Sequence, residues 1–257
     1  EAAKAATSAR LDRHDRQTPP ADQEAASSLL ASYNAHPATR MSINQALDTA
    51  RRFPPGIVAA CEGSDSGDLD SLQTLGAETW LNDHVINFIA KQVIQRNTPE
   101  THCYSSYFFS RLLRNASDEN SYDFSQVRNW HRSRELRRTG TIFNCKHLLV
   151  PINKNNSHWL LLHVNLESRL ICLYDSSDDQ TDSNNTNNGY LTAMRRYLQE
   201  AEAVETSSTS ARNADQGHWA LSNKSGSTPK QTNGYDCGVF TLVNMSLLAK
   251  GANINNG

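Results

Sequence analysis

The chain has 257 residues, with 25 Lys and Arg against 27 Asp and Glu, a net charge of −2 and a 37% apolar fraction. That length fits one large domain, or a domain of roughly 180 residues with an appendage, and a core of useful size. The near-neutral balance gives no reason to expect nucleic acid or an anionic membrane as partner, and no apolar run reads as a membrane span or a signal peptide.

Residues 1–66 are rich in Ala, Arg, Gln and Ser and are broken by Pro19, Pro20, Pro37, Pro54 and Pro55. They read as an N-terminal, partly helical segment of unknown role, with helical pieces near Ala21–Tyr33 and Ser42–Arg52. The small acidic stretch Glu62–Asp70 reads as a linker or loop. Residues 67–257 read as the main domain.

Asn82 or Asp83 is placed to cap a helix carrying Val85, Ile86, Ile89, Val93 and Ile94 at helical spacing. Tyr107–Leu113 reads as a second buried segment. The basic run Arg128–Arg138 reads as a solvated helix face. Strands are expected over Ile142–Ile152, Trp159–Asn165 and Leu170–Tyr174, with turns at Asn153–Ser157 and Glu167–Ser168. The last two strands are nearly continuous apolar runs, the pattern of sheet buried on both faces. Ser176–Gly189 is expected as loop, Tyr190–Ala203 as helix and His218–Leu221 as a short strand. A final helix opens at Cys237 and carries Phe240, Val243, Leu247 and Leu248.

The five cysteines, Cys61, Cys103, Cys145, Cys172 and Cys237, are odd in number and form no C-x-x-C pair. Free thiols in a reducing compartment are the expectation. Cys145-Lys146-His147 supplies too few ligands for zinc. Neither a metal nor another cofactor is called for.

Cys237 lies in Asn233-Gly234-Tyr235-Asp236-Cys237-Gly238, where a turn meets a helix start. Backbone N–H groups and the helix dipole there favour a thiolate. Gly234 and Gly238 would let the backbone bend and a substrate approach. A small buried cysteine at a helix start has the same local pattern, so both readings stand on that ground alone. A nucleophilic thiol works with a base, and the base with an orienting group. His158 begins one strand and Asp175 follows the next. If the two strands form a hairpin, their far ends meet, and the carboxylate can hold the imidazole.

Ser157-His158-Trp159, Leu173-Tyr174-Asp175-Ser176 and Gln231-Thr232-Asn233-Gly234-Tyr235-Asp236-Cys237-Gly238 resemble, in this order, the Ulp/SENP-type cysteine proteases of clan CE. Trp80-Leu81-Asn82-Asp83 ahead of Val85-Ile86-Asn87-Phe88, and Val150-Pro151-Ile152-Asn153, look like that family's earlier motifs. The resemblance spans about residues 69–248. It implies an α/β (α+β) fold, a central mixed sheet flanked by helices, with the nucleophile at a helix N-terminus.

It also implies roles. Cys237 would be the nucleophile, His158 the proton shuttle, Asp175 its orienter and Gln231 an oxyanion donor beside the Cys237 N–H. Trp80 and Trp159 would wall a tunnel for a Gly-Gly tail, and Asp83 would pair with an arginine of the modifier. Without the resemblance, the two tryptophans read as core aromatics and Asp83 as a helix cap. The implied activity is cleavage after the C-terminal Gly-Gly of a ubiquitin-like modifier.

SUMO and its conjugates are the favoured partners and ubiquitin the alternative, in the nucleus or cytoplasm, or in a host cell for a secreted bacterial member. A clan CE-like acetyltransferase and a silent binding module are the readings of other classes. The Trp80–Asp83 motif and Gln231 argue against the first, and four competent catalytic positions against the second. The family's chain usually continues further past the cysteine helix, so either the C-terminus is cut or residues 1–66 supply packing. The Asp175-to-Cys237 interval is longer than usual for the family.

Overall fold

A computed structural model describes residues 71, 74–75, 78–113, 121–136, 139–177, 183–208, 218–252 and 254. The expectations for residues 1–66 fall outside them.

Five strands form one sheet in the order β1 (Thr101–Cys103), β2 (His147–Lys154), β3 (His158–Asn165), β4 (Leu170–Tyr174), β5 (Ala220–Asn223). β2, β3 and β4 pair antiparallel, while β1 and β5 lie parallel to β2 and β4. The sheet is therefore mixed, and its centre is the continuous apolar sequence of β2–β4. Side chains alternate between faces along a strand. Leu148, Val150, Leu160, Leu162, Ile171 and Leu173 join one core with the helix α3 (Ser183–Ser208). Leu149, Leu161, Cys172 and Tyr174 join a second core on the other face. That core holds α1 (Asp83–Phe88) and α4 (Cys237–Ala249). The helix α2 (Tyr107–Leu112) packs Phe108, Phe109 and Leu112 into the first core.

The β2–β3 turn is tight because Asn155 and Asn156 both adopt positive φ, 54° and 55°. Ser157 N–H donates to the Lys154 carbonyl at 3.1 Å. Two consecutive left-handed residues make the turn that suits strand twist, and Asn tolerates that conformation better than most. β2 starts later than its apolar sequence predicts, because Ile142–Asn144 forms a 3₁₀ turn closed by Cys145 N–H on the Ile142 carbonyl. β1 ends at the pair Cys103–Leu149, so Pro151 lies beyond it, where β2 needs no N–H on that side.

Other expectations need correction. After α1 the chain continues as a π-helical turn, Ile89–Gln95. The wider turn takes Val93 out to solvent while Ile94 stays buried. Tyr107 is exposed rather than buried. The Arg128–Arg138 run contains short 3₁₀ turns at Trp130–Arg132 and Arg134–Leu136 instead of a helix face, and Arg132 pairs with Glu205. Residues from Ser183 on, expected as loop, belong to α3. Tyr190, Leu191, Met194, Tyr197, Leu198 and Ala201 anchor that helix in the core, and this packing carries it back through Asn residues of low helix propensity.

The buried face of α4 also differs from the expected one. Cys237, Thr241 and Met245 are buried, together with Leu242, Asn244 and Leu248, whereas Val243 is exposed. Gly238 explains the close approach of this helix. A Cβ there would lie 3.0 Å from Leu81 Cβ and 3.2 Å from Trp159 Cδ1. Leu81 has little room to retreat, because its carbonyl accepts the Trp159 indole N–H at 2.8 Å. Gly234, in contrast, is outside the positive-φ set and faces open space, so the bend there does not depend on glycine. A Gly238→Ala variant is therefore expected to lose about 1–3 kcal/mol in urea unfolding, the scale of overpacking. Unchanged or higher stability would contradict this packing account, since Ala otherwise favours a helix.

Candidate active site

α4 begins at Cys237, preceded by a turn that Asn233 organises. Its Oδ1 accepts the N–H groups of Tyr235 and Asp236 at 3.0 and 2.9 Å, and its Nδ2 donates to Asp236 Oδ2 at 2.6 Å. The side-chain oxygen thus substitutes for a backbone turn. It fixes where the helix starts, and with it the thiol, which is 1% exposed.

His158 is the first residue of β3 and Asp175 follows the last residue of β4, with Leu161 paired to Tyr174. The register brings the two side chains together. His158 Nε2 and Asp175 Oδ1 are 2.7 Å apart, and Oδ1 also accepts Ser177 N–H at 2.8 Å. A carboxylate only accepts, so Nε2 carries the proton in this contact. His158 and Cys237 line the same cleft, close enough for each to favour the other's charged form. The hairpin, the turn and the helix start thus bring Cys237, His158 and Asp175 into one line of contacts.

Burial works against each charge in this line, and the contacts outweigh it. Burial lowers His158, yet the hydrogen bonds and charges of Asp175 and Cys237 raise it to about 9. Burial pushes the Cys237 thiol up. The His158 hydrogen bond and the backbone N–H groups of Trp159 and Gly238 bring it below its ordinary value. Asp175, also raised by burial, is brought below the usual carboxylate range by His158, Ser177 N–H and the charge of Lys230. A thiol lowered beside an imidazole that is raised is an ion pair in the making, and thiolate is the nucleophilic form.

Gln231 stands close by but turns part of its amide inward. Its Oε1 accepts from Ser176 Oγ at 2.7 Å, and its Nε2 donates to the Asn233 carbonyl at 2.7 Å. One Nε2 hydrogen remains for another acceptor.

A cleft of about 250 Å³ opens over Cys237 and His158. Trp80 and Trp159 both line it, in different ways. Trp80 is 51% exposed and donates to the Gly234 carbonyl at 2.8 Å. Trp159 is 3% exposed and belongs to the core beneath. Asp83 lines the cleft but does not cap α1, because Asn82 Oδ1 accepts Val85 N–H at 3.1 Å. Asp83 instead accepts from Ser106 Oγ at 2.6 Å and from Asn153 Nδ2 at 3.4 Å. Ser106 is fixed in turn by Asn87. All seven predicted site residues thus fall in or beside one region, Asp175 and Gln231 adjoining the cleft rather than lining it. Sequence reasoning missed Asn233, Ser176, Ser106 and Lys230. Only Asn233 carried a local signal, an Asn-Gly pair before a helix.

Residues 79–256 match the Ulp1 protease family, C-terminal catalytic domain. The chain is similar to the ubiquitin-like-specific protease ESD4 of Arabidopsis thaliana, with 30% identity over 70% of this chain and 34% of that protein. It is 31% identical to ubiquitin-like-specific protease 1 of Saccharomyces cerevisiae, over 67% of this chain and 24% of that protein. The chain thus spans about a quarter to a third of the length of these relatives. Among solved structures, the C-terminal Ulp1 protease domain in complex with Smt3, the yeast ortholog of SUMO, superposes with a TM-score of 0.64. The identity there is 23%, over 83% of this chain and 85% of that one. The catalytic domain of the Ulp1-like SUMO protease of Chaetomium thermophilum gives a TM-score of 0.56 at 22% identity, over 83% and 80%. The fold is that of the Ulp1 protease domain, and the chain belongs to the Ulp1 protease family of cysteine peptidases.

Proposed function

We propose that residues 67–257 form a cysteine isopeptidase domain that cleaves after the C-terminal Gly-Gly of a ubiquitin-like modifier, with SUMO as the modifier. The observation that carries this reading is His158 joined to Asp175 at 2.7 Å and set beside Cys237 in a tryptophan-lined cleft. The names of the relatives support a ubiquitin-like modifier, and the Smt3 complex of a structural neighbour supports SUMO as that modifier.

The extended Gly-Gly tail lies between Trp80 and Trp159, where a side chain on the tail would clash with the indoles. Asp83, held by Ser106, meets an arginine on the modifier. The Cys237 thiolate attacks the carbonyl carbon of the last glycine. The Cys237 N–H and the remaining Gln231 Nε2–H donate to the oxyanion. His158 gives its proton to the departing amine, which leaves a thioester. It then takes a proton from water, whose oxygen attacks the thioester and releases the carboxylate and the thiol. No resident metal or cofactor is invoked. The site works inside cells, in nucleus or cytoplasm. The four described cysteines are free thiols, which accords with a reducing compartment. Among the described residues no helix is long and apolar enough to cross a membrane.

Modifier probes ending in a cysteine-reactive group test the proposal. A SUMO probe is expected to label Cys237, and Cys237→Ala to abolish labelling. Labelling by ubiquitin alone would overturn the modifier, and labelling by neither would overturn the activity.

Alkylation of Cys237 by iodoacetamide gives the pH dependence. Its midpoint is expected below the ordinary thiol value, because thiolate forms while His158 is still protonated. His158→Ala removes the strongest contact that lowers the thiol and leaves burial, so its midpoint should move upward.

The two tryptophans should separate by measurement. Trp80→Ala is expected to raise KM on the order of tenfold or more, the scale of a lost aromatic anchor. Its unfolding should shift by less than about 1 kcal/mol. Trp159→Ala should cost about 3 kcal/mol or more, because it also leaves a core cavity. Equal stability losses for the two would contradict this division.

A further inference from the structure

Residues 175–177 lie beyond the end of β4, and residues 228–231 lie ahead of α4. The sheet does not hold these segments, yet four hydrogen bonds join them. Lys230 Nζ donates to the Asp175 carbonyl at 3.2 Å and to the Ser177 carbonyl at 2.6 Å. Gln231 N–H donates to the Ser176 carbonyl at 2.9 Å, and Ser176 Oγ to Gln231 Oε1 at 2.7 Å. The strip gripped in this way contains both Asp175 and Ser177, whose N–H fixes the Asp175 carboxylate. Lys230 is partly buried, and its charge favours the ionised form of Asp175. An ammonium offers three donors at one point, which suits two converging carbonyls.

We propose that Lys230 is a positioning residue, whose ammonium clamps residues 175–177 so that the Asp175 carboxylate meets His158. The role rests on the peptidase reading of the site. Lys230 touches neither His158 nor Cys237 in any of these bonds, so it acts through Asp175. A residue of similar length without donors would remove both Lys230 bonds and loosen the hold on the strip.

The test uses the full chain and the C-terminal aminocoumarin derivative of whichever modifier labels wild-type Cys237. The variants are Lys230→Met, Lys230→Arg, Asp175→Ala and the double variant Asp175→Ala with Lys230→Met. Lys230→Met is expected to lower kcat by about tenfold or more, as misplacement of a catalytic group does, with KM unchanged. Lys230→Arg should recover most of the loss. In the Asp175→Ala background, Lys230→Met should change kcat by less than about twofold, because the group it positions is gone. If Lys230→Met does not fold, Lys230→Leu takes its place in the same cycle. An unimpaired Lys230→Met enzyme, or the same fold-loss with and without Asp175, overturns the role. A wild-type enzyme that no modifier probe labels overturns the peptidase reading, whereas a labelled wild type with an unimpaired variant overturns the Lys230 role alone.

Discussion

The site depends on the pairing of β3 with β4. Leu161 lies opposite Tyr174, so the first residue of one strand and the residue after the other end at the same edge. From there His158 Nε2 reaches Asp175 Oδ1 at 2.7 Å. A slip of one residue would turn one of the two side chains to the opposite face. What prevents it is burial on both faces. Leu160 and Leu162 fill one core and Trp159 and Leu161 the other, so a slip would exchange every contact at once. Registry of the hairpin and geometry of the acid–imidazole pair are thus a single constraint.

Cys237 reaches this pair by a different route. Its helix lies close against the Leu81 side chain and the Trp159 ring, and Gly238 makes that approach possible. The same Trp159 indole ties Leu81 in place and forms part of the cleft wall. The core beneath the sheet and the floor of the cleft are therefore continuous. That continuity explains why the tryptophans divide as they do. Trp159 works as a core residue and as a wall together, while Trp80 stands in solvent on a single indole hydrogen bond. Asn82 and Asp83 both line the cleft, but only Asn82 caps the helix.

Much of this was legible in the sequence, for identifiable reasons. The run Leu170–Tyr174 is bounded by turn residues and apolar throughout, and it forms a strand with those ends. Cys237 follows a turn-rich stretch and opens a helix, as its apolar residues required. The hairpin argument needed only those two facts and the position of His158. Other parts depend on tertiary contacts that no local pattern encodes. The π-helical turn after α1 changes the helical phase, so spacing misplaces Val93. α3 runs back into Asn-rich sequence because the core holds its other end. The inner face of α4 takes in Cys237, Thr241 and Met245 beside Leu242 and Leu248, a set that the spacing of its apolar residues alone does not pick out. The Lys230 clamp joins residues 53 and 55 apart in sequence and leaves no motif.

The central claim is that Cys237 and His158 share charge, with Asp175 holding the imidazole. Titration of the His158 ring by nitrogen-15 NMR tests it most directly. The account predicts an imidazolium that persists to about pH 9, and a lower pKa in Cys237→Ala, where the thiolate is gone. A His158 ring that titrates near 6.5, unchanged by loss of the thiol, would contradict it.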